Sequence, residues 1–249
     1  MKHKVQVSLL PQHIDSDVCV IVDVLRFASL AALLFERGVH RLYVSRSSRA
    51  CKAIAHERSC LLLAERAGVL LEGANYGHSP AEIHDLRFDG RDAVVLAKNT
   101  PNALTQLNCQ TQRCYLAGLI NAKSVAEHLL HQSPHRLHIA CSGFNDVADL
   151  DDALAAGYLL SAYEEALTEP CLLAGEASLC KSLLKAFPSP LEALWHSQAG
   201  QYLRKYHLEN DLAIAAKLSC VNAVPQLVDS DIVEDSQVYQ FVNARETLS

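Results

Sequence analysis

Aromatic residues, long hydrophobic runs and basic charge are what this chain has least of. Of its 249 residues only 6% are aromatic, with a single Trp and a single Met, and no window reaches the roughly 18–20 consecutive apolar residues of a membrane helix. Lys and Arg number 22 against 28 Asp and Glu, a formal charge of −6, so no global positive field exists to gather nucleic acid or an anionic membrane surface. Any anionic ligand must be met by a local pocket. The opening residues, Met1-Lys2-His3-Lys4-Val5-Gln6-Val7, alternate polar with apolar, and neither export nor membrane spanning is expected.

Several chemistries are excluded by spacing. Neither G-x-G-x-x-G nor G-x-x-x-x-G-K-[ST] occurs, which removes the usual dinucleotide and P-loop phosphate cradles. Cys141 begins no C-x5-R loop, because position 147 is Val. Asp23 is followed by Val24 and Leu25 rather than by the D-x-D of aspartyl-phosphate phosphatases. The nine cysteines form an odd set without a C-x-x-C pair, which argues against both a zinc site and a disulfide framework. Cys19, Cys51, Cys60 and Cys141 lie among Val, Ile, Ala and Leu and read as small apolar residues. A reducing, cytoplasmic location is the expectation.

What is present is a chain half hydrophobic and one fifth charged, in which short apolar runs alternate with segments of helical period, the pattern of βα units and a mainly parallel sheet. Strands are expected at Val5–Leu9, Val18–Val22, Arg41–Val44, Leu61–Leu63, Ala93–Ala97, Arg113–Leu116 and Leu137–Cys141. Helices are expected at Ser29–Arg37, Ser48–His56, Pro101–Leu107, Ala122–His131 and Asp151–Ala166. Beyond Pro170 the strands stop and helices follow at Leu172–Ala186, Pro190–Trp195, Gln198–Tyr206 and Asn210–Leu218, with short strands near Gln226–Val228 and Gln237–Phe241. The fold class is thus a layered α/β/α unit over 1–249, or two closely packed lobes of about 1–168 and 169–249.

Gly77-His78-Ser79-Pro80-Ala81 approximates a nucleophile elbow, but Ser79 before Pro80 also reads as a helix N-cap with proline at the first helical position, the reading taken here. His128, His131, His135 and His138 are read as surface scatter, not as a metal cluster.

In open α/β sheets ligands gather outside the carboxyl ends of the strands. Four such ends carry charge here: Asp23-Val24-Leu25-Arg26, Ala64-Glu65-Arg66, Lys98-Asn99-Thr100, and Ser142-Gly143 leading to Asp151-Asp152. A carboxylate such as Asp23, directly after an apolar run, is costly to desolvate unless a cation or several donors face it. One reading makes it a helix cap with Arg26 as salt partner. The other groups Asp23, Glu65, Asp151 and Asp152 as ligands of a hard, oxygen-bound ion such as Mg²⁺, with Arg26, Arg66 and Lys98 holding an anionic substrate. Thr100 before Pro101 reads as an N-cap, so that free backbone N–H groups face either an anion or solvent.

These segments, in order, resemble the 2-phosphosulfolactate phosphatase family, an Mg²⁺-dependent type associated with coenzyme M biosynthesis. Asp23-Val24-Leu25-Arg26 precedes a helix; Ala64-Glu65-Arg66 is similar to the family's G-E-R; Gly73-Ala74-Asn75-Tyr76-Gly77-His78-Ser79-Pro80 to G-F-D-x-G-N-S-P. Gly118-Leu119-Ile120-Asn121-Ala122 is similar to G-S-x-x-N-A, and Asp151-Asp152 with Ala156-Gly157 to E-D-x-x-x-A-G; fainter echoes are Asp211-Leu212 and Val224-Pro225. Three departures fall in the presumed site. Ala97-Lys98-Asn99-Thr100-Pro101-Asn102-Ala103 stands where the family has T-T-N-G-T-R-A, His78 where it has Asn, and Asp151 where it has Glu.

The resemblance implies hydrolysis of 2-phospho-3-sulfolactate to 3-sulfolactate and phosphate with Mg²⁺. Asp23, Arg26, Glu65 and Arg66 would be catalytic, and Asp23, Glu65, Asp152 and Asp151 would hold the metal. Lys98, Asn99, Thr100, Asn75, His78 and Asn121 would bind substrate. Asp23 is left open as nucleophile or ligand. Two alternatives stand beside this reading: a phosphatase for another small phosphorylated acid, and a family member that binds an anion without catalysis. A homo-oligomer is compatible with the many apolar helices, although no stripe specifies one.

Overall fold

A computed structural model of the chain describes residues 3–13, 15–106 and 112–245. The first half runs β1 (Lys4–Ser8), β2 (Val18–Val22), α1 (Phe27–Glu36), β3 (Leu42–Ser45), α2 (Ser48–Glu57), β4 (Leu61–Leu63), β5 (Glu65–Arg66), β6 (Val69–Leu70), α3 (Pro80–Ile83), β7 (Ala93–Leu96) and α4 (Asn99–Thr105). It continues through β8 (Arg113–Ala117), a 3₁₀ turn (Leu119–Asn121), α5 (Ala122–Gln132), β9 (Arg136–Cys141) and α6 (Leu150–Ala166). The remainder is β10 (Leu172–Gly175), α7 (Ala177–Leu183), α8 (Pro190–His196), α9 (Gln198–Lys205), α10 (Asn210–Ala215), β11 (Pro225–Val233) and β12 (Ser236–Asn243).

Ten strands form one mainly parallel sheet in the order β10-β1-β9-β2-β8-β11-β12-β3-β7-β4. The five from β10 to β8 are mutually parallel, as are β3, β7 and β4. The β11–β12 hairpin joins the two sets, antiparallel to β8 on one side and to β3 on the other. The two sets therefore start from opposed strand senses. Five interstrand steps separate β2 from β7, and at roughly 20–25° of twist per step the directions turn by roughly 100° or more. The carboxyl ends of β2 and β7 meet in space as a result, because Thr100, just after β7, bonds Asp23, just after β2.

Strand β2 shows why the sheet is layered. All five of its residues are buried: Val18, Val20 and Val22 pack toward α5 and α6, while Cys19 and Ile21 pack toward α1. A run apolar on both faces is what a central parallel strand requires. Helix α1 is buried at nine of its ten positions, so it carries no polar face and lies wedged between sheet and loops. A third apolar cluster lies under α2, on β3, β4 and β7.

The C-terminal third departs from the sequence reading. Strands do not stop at Pro170: Leu172–Gly175, expected as helix, pairs along β1 at the sheet edge, and only Ala177–Leu183 is helical. The last two strands are longer than expected and occupy the middle of the sheet. Asp229-Ser230-Asp231 gives β11 no apolar alternation, so pattern alone hides it; its turn uses Glu234 and Asp235 in left-handed conformation without glycine. Of the expected Pro101–Leu107 helix, Leu107 lies outside the described residues, and the helix starts two residues earlier than expected.

The four histidines also separate differently. His128 bonds the Tyr115 hydroxyl and His138 bonds Ser8, both in the core, whereas His131 and His135 stay exposed. Facing apolar layers override the polar label whenever a single hydroxyl satisfies the ring. Eight cysteines are free among the described residues; Cys109 lies outside them.

Helix α6, which carries Asp151 and Asp152, is seated against α7 at Gly157, where a Cβ would lie 2.4 Å from the Cys180 carbonyl oxygen. Gly157→Ala gains about 1 kcal/mol of helix propensity but overpacks this contact by about 1–3 kcal/mol. A net loss of up to about 2 kcal/mol in urea unfolding is expected, and a stabilised variant would show that the two helices yield.

Candidate active site

The site starts from β2. Its strand ends at Val22, and the next residue, Asp23, is 3% exposed. Its Oδ2 accepts from Thr100 Oγ1 at 2.6 Å and its Oδ1 from the Phe27 N–H at 3.2 Å. The first reading of Asp23 is therefore half right: it satisfies a free N–H at the start of α1, but it makes no ion pair with Arg26. Thr100 in turn is not a cap. Lys98 occupies the N-cap of α4 without a capping bond from its side chain, and the Thr100 hydroxyl is turned to Asp23.

Arg26 is committed elsewhere. Its Nη2 lies 2.5 Å from Glu65 Oε1 and its Nη1 2.9 Å from Asp211 Oδ2, with side-chain exposures of 12%, 6% and 1%. Burial acts to lower the Arg26 pKa, but Glu65 and Asp211 outweigh it and hold the guanidinium above its ordinary range. Burial likewise acts to raise Glu65, yet Arg26 and the His78 N–H keep that carboxyl below its ordinary range. Asp211 also accepts from Ser79 Oγ at 2.5 Å and from the Ala81 N–H at 3.0 Å. Ser79 caps α3 through the Glu82 N–H, as expected, and its hydroxyl proton points to Asp211. Asp211 joins α10, α3 and Arg26; the sequence offered only the faint Asp211-Leu212 echo.

On the other side, Asp152 Oδ1 accepts from the Val24 N–H at 2.8 Å, while Oδ2 accepts from Ser142 Oγ at 3.0 Å and the Gly143 N–H at 2.9 Å. Asp152 thereby ties the loops after β2 and β9 to α6. Burial, then the neighbouring Asp23, pushes its pKa up to about 8. Burial also raises Asp23 against the donors Thr100, Phe27 and Ser142. Asp151 is enclosed, its Oδ1 without a partner, and burial with the charges of Asp152, Asp149 and Asp23 drives it well up. Asp149, unremarked in the sequence, caps α6 and accepts from the Gln198 and Ala199 N–H groups, fixing α9.

These elements enclose a cleft of about 510 Å³. Asp23, Arg26, Glu65, Arg66, His78, Lys98 and Asn99 of the sequence-chosen residues line it, joined by Arg46, Phe144, Asn145, Tyr202 and Leu203, which sequence reasoning did not single out. Lys98 Nζ donates to Asn145 Oδ1 at 3.1 Å. His78 presents a buried Nε2 with no partner, and burial, then Arg26, lowers its pKa to about 4, so the ring is neutral near pH 7. The others do not line the cleft. Asn75 Oδ1 accepts from the Leu62 N–H, and Asn121 links Gly118, Leu116 and Ala223. Among the described residues no three His, Cys, Asp or Glu side chains converge as a preformed metal cage.

A mainly parallel α/β sheet with a cation-rimmed cleft at its strand ends defines the class of protein this is. Residues 5–230 match the family model described as 2-phosphosulpholactate phosphatase. A relative from Deinococcus radiodurans named probable 2-phosphosulfolactate phosphatase is 32% identical over 231 residues, covering 92% of this chain and 95% of that protein. Relatives of the same name from Thermus thermophilus and Prochlorococcus marinus (strain MIT 9313) are 30% and 29% identical, each over 90% of this chain and 94% of their own. The chain belongs to the 2-phosphosulfolactate phosphatase family.

Two outcomes check the site. Asp211→Ala strands Arg26, Ser79 and the Ala81 N–H, and removing one partner of so buried a pair costs about 3 kcal/mol; an unfolding free energy within about 0.5 kcal/mol of the parent would contradict the arrangement. Because the folded pKa of Asp152 lies above its unfolded value, the stability tied to its proton is full below about pH 4 and lost as pH rises toward about 8. The metal-free melting temperature is expected to fall across that window. Asp23→Asn, which removes the neighbouring charge, should make the fall shallower.

Proposed function

We propose that the cleft hydrolyses the phosphate monoester of a small acid, 2-phospho-3-sulfolactate, to 3-sulfolactate and phosphate, with Mg²⁺, as a cytoplasmic enzyme serving coenzyme M biosynthesis. The observation that carries the reading is a buried carboxylate, Asp23, set among cations in a cleft of small-molecule size, in a chain of this family. The relatives' names supply the substrate. No helix among the described residues is long and apolar enough to cross a membrane.

The donor set fits Mg²⁺ in the way that ion is usually held, by one or two carboxylates plus substrate oxygens and water. Burial raises the pKa of both Asp23 and Asp152, and the Asp23 charge adds to the rise at Asp152; a nearby cation favours the charged forms. Asp23 faces the cleft and would hold the metal with Asp152 behind it; Glu65, ion-paired to Arg26, and Asp151, enclosed on the first turn of α6, are less available. When bound, Mg²⁺ supplies neutralisation of phosphoryl charge and lowers the pKa of coordinated water.

The chain's own residues do the rest. Arg66 and Lys98 attract the phosphoryl oxygens, one as a fork and one as a point charge. Neutral His78 offers Nε2 for a hydrogen bond at the cleft wall. Thr100 keeps Asp23 in one orientation by its 2.6 Å bond, which matters because phosphoryl transfer relies chiefly on position and charge. Phe144, Tyr202 and Leu203 form an apolar wall that limits water. In the reaction water adds its oxygen to phosphorus, the P–O bond to the lactate carbon skeleton breaks on the leaving side, and the released alkoxide takes a proton.

Asp23→Asn tests the reading because it preserves shape and removes charge. Phosphate release should fall at least 100-fold, and the rise in melting temperature caused by Mg²⁺ at pH 8 should disappear. Parental turnover in the folded variant would sink the assignment.

A further inference from the structure

Arg26 has both terminal nitrogens on carboxylates and so offers little charge to a ligand. The remaining cleft cations are Arg46, Arg66 and Lys98. Arg46 and Arg66 make no ion pair among the described residues, and Lys98 bonds only the neutral Asn145. These three cations follow the carboxyl ends of three adjacent parallel strands: Arg46 after β3, Lys98 after β7 and Arg66 at the end of the β4 segment. At about 4.8 Å per strand, β3 and β4, which lead to Arg46 and Arg66, are roughly 10 Å apart. Two arginine side chains reach across such a distance to one small ligand.

Side-chain alternation assigns Arg46 its face. Leu42 and Val44 pack with Phe27, Leu30 and Val95, on the α1 side of the sheet, and Ser45 turns away to bond the Gln237 carbonyl. Arg46, next in the alternation, returns to the α1 side, where Val95 and Ala97 line the cleft. The partners of the three differ. Lys98 is two residues from Thr100, which holds Asp23, and Arg66 is adjacent to Glu65, which holds Arg26. Arg46 stands on the opposite side of β7 from both Glu65 and Arg66.

Resting on the phosphatase reading, we propose that Arg46 is a specificity-determining residue, which binds a second anionic group of the substrate, a carboxylate or sulfonate remote from the phosphoryl group. A guanidinium fork matches the geometry of either. Arg66 and Lys98 serve the phosphoryl end and are indifferent to the second group.

The test compares Arg46→Gln with Arg66→Gln on two monoesters, 2-phospholactate, which carries a carboxylate, and glycerol 1-phosphate, which does not. Arg46→Gln should lower the ratio of kcat/KM for 2-phospholactate over glycerol 1-phosphate at least tenfold, mainly through KM. Arg66→Gln should lower both values and leave the ratio within about twofold. An unchanged ratio in Arg46→Gln overturns the assignment while leaving the phosphatase reading intact. If the parent protein hydrolyses neither ester, a binding arm decides the proposal alone: 2-phospholactate should raise the melting temperature more than orthophosphate does, with the difference lost in Arg46→Gln; the phosphatase reading itself fails only if 2-phospho-3-sulfolactate is not hydrolysed either. Equal shifts by the two anions would also overturn the Arg46 assignment.

Discussion

The hydrogen bond from Thr100 to Asp23 is the contact on which the rest of the site depends. It spans two sets of parallel strands that the β11–β12 hairpin joins in opposed senses. A buried carboxylate without donors is expensive, so Asp23 stays only while the segment after β7 stays against it. Helix α1 begins on the same carboxylate, through the Phe27 N–H, and packs its buried length between the two sets. Sheet twist brings the two strand ends together, and the start of α1 and the cleft are then held by satisfying one oxygen pair.

Around that contact the charges divide into two groups with different tasks. Arg26, Glu65 and Asp211 saturate one another and brace α3, α10 and the loop after β4. Asp152 and Asp149 do the same for the loops after β2 and β9 and for α9, using backbone N–H donors in place of cations. What remains free to meet a ligand is the smaller group lining the cleft. The overall charge of −6 is therefore no obstacle to binding an anion. Most acidic residues near the cleft are already answered, and the unanswered cations are concentrated on one rim.

The first two thirds of the fold were legible because β2, β8 and β9 are apolar on both faces and the helices between them keep their period. The last third was not, for particular reasons. Leu172–Gly175 is short enough to read as the first turn of the helix that follows, and only its partner β1 makes it a strand. Pro225–Val233 carries three polar residues in a row, and its pairing is paid for by neighbours on both sides of the hairpin rather than by its own pattern. Strand-end reasoning located Asp23, Glu65, Arg66 and Lys98 on one cleft, and the family resemblance added His78. Arg46, Asn145 and Asp211 escaped it, since an arginine in a serine-rich turn and an aspartate inside a helical segment give no local sign of facing a distant strand end. Roles were harder still. Arg26 was expected to clamp an anion and has both terminal nitrogens on Glu65 and Asp211; Thr100 looked like a cap and its hydroxyl bonds Asp23.

The measurement that bears most directly on this account is phosphate release by the purified protein, with and without Mg²⁺, across a panel of small phosphate monoesters that includes 2-phospho-3-sulfolactate. The account predicts Mg²⁺-dependent release with the highest kcat/KM on 2-phospho-3-sulfolactate. Release from no member of the panel, or a clear preference for a monoester that lacks any second anionic group, would contradict it.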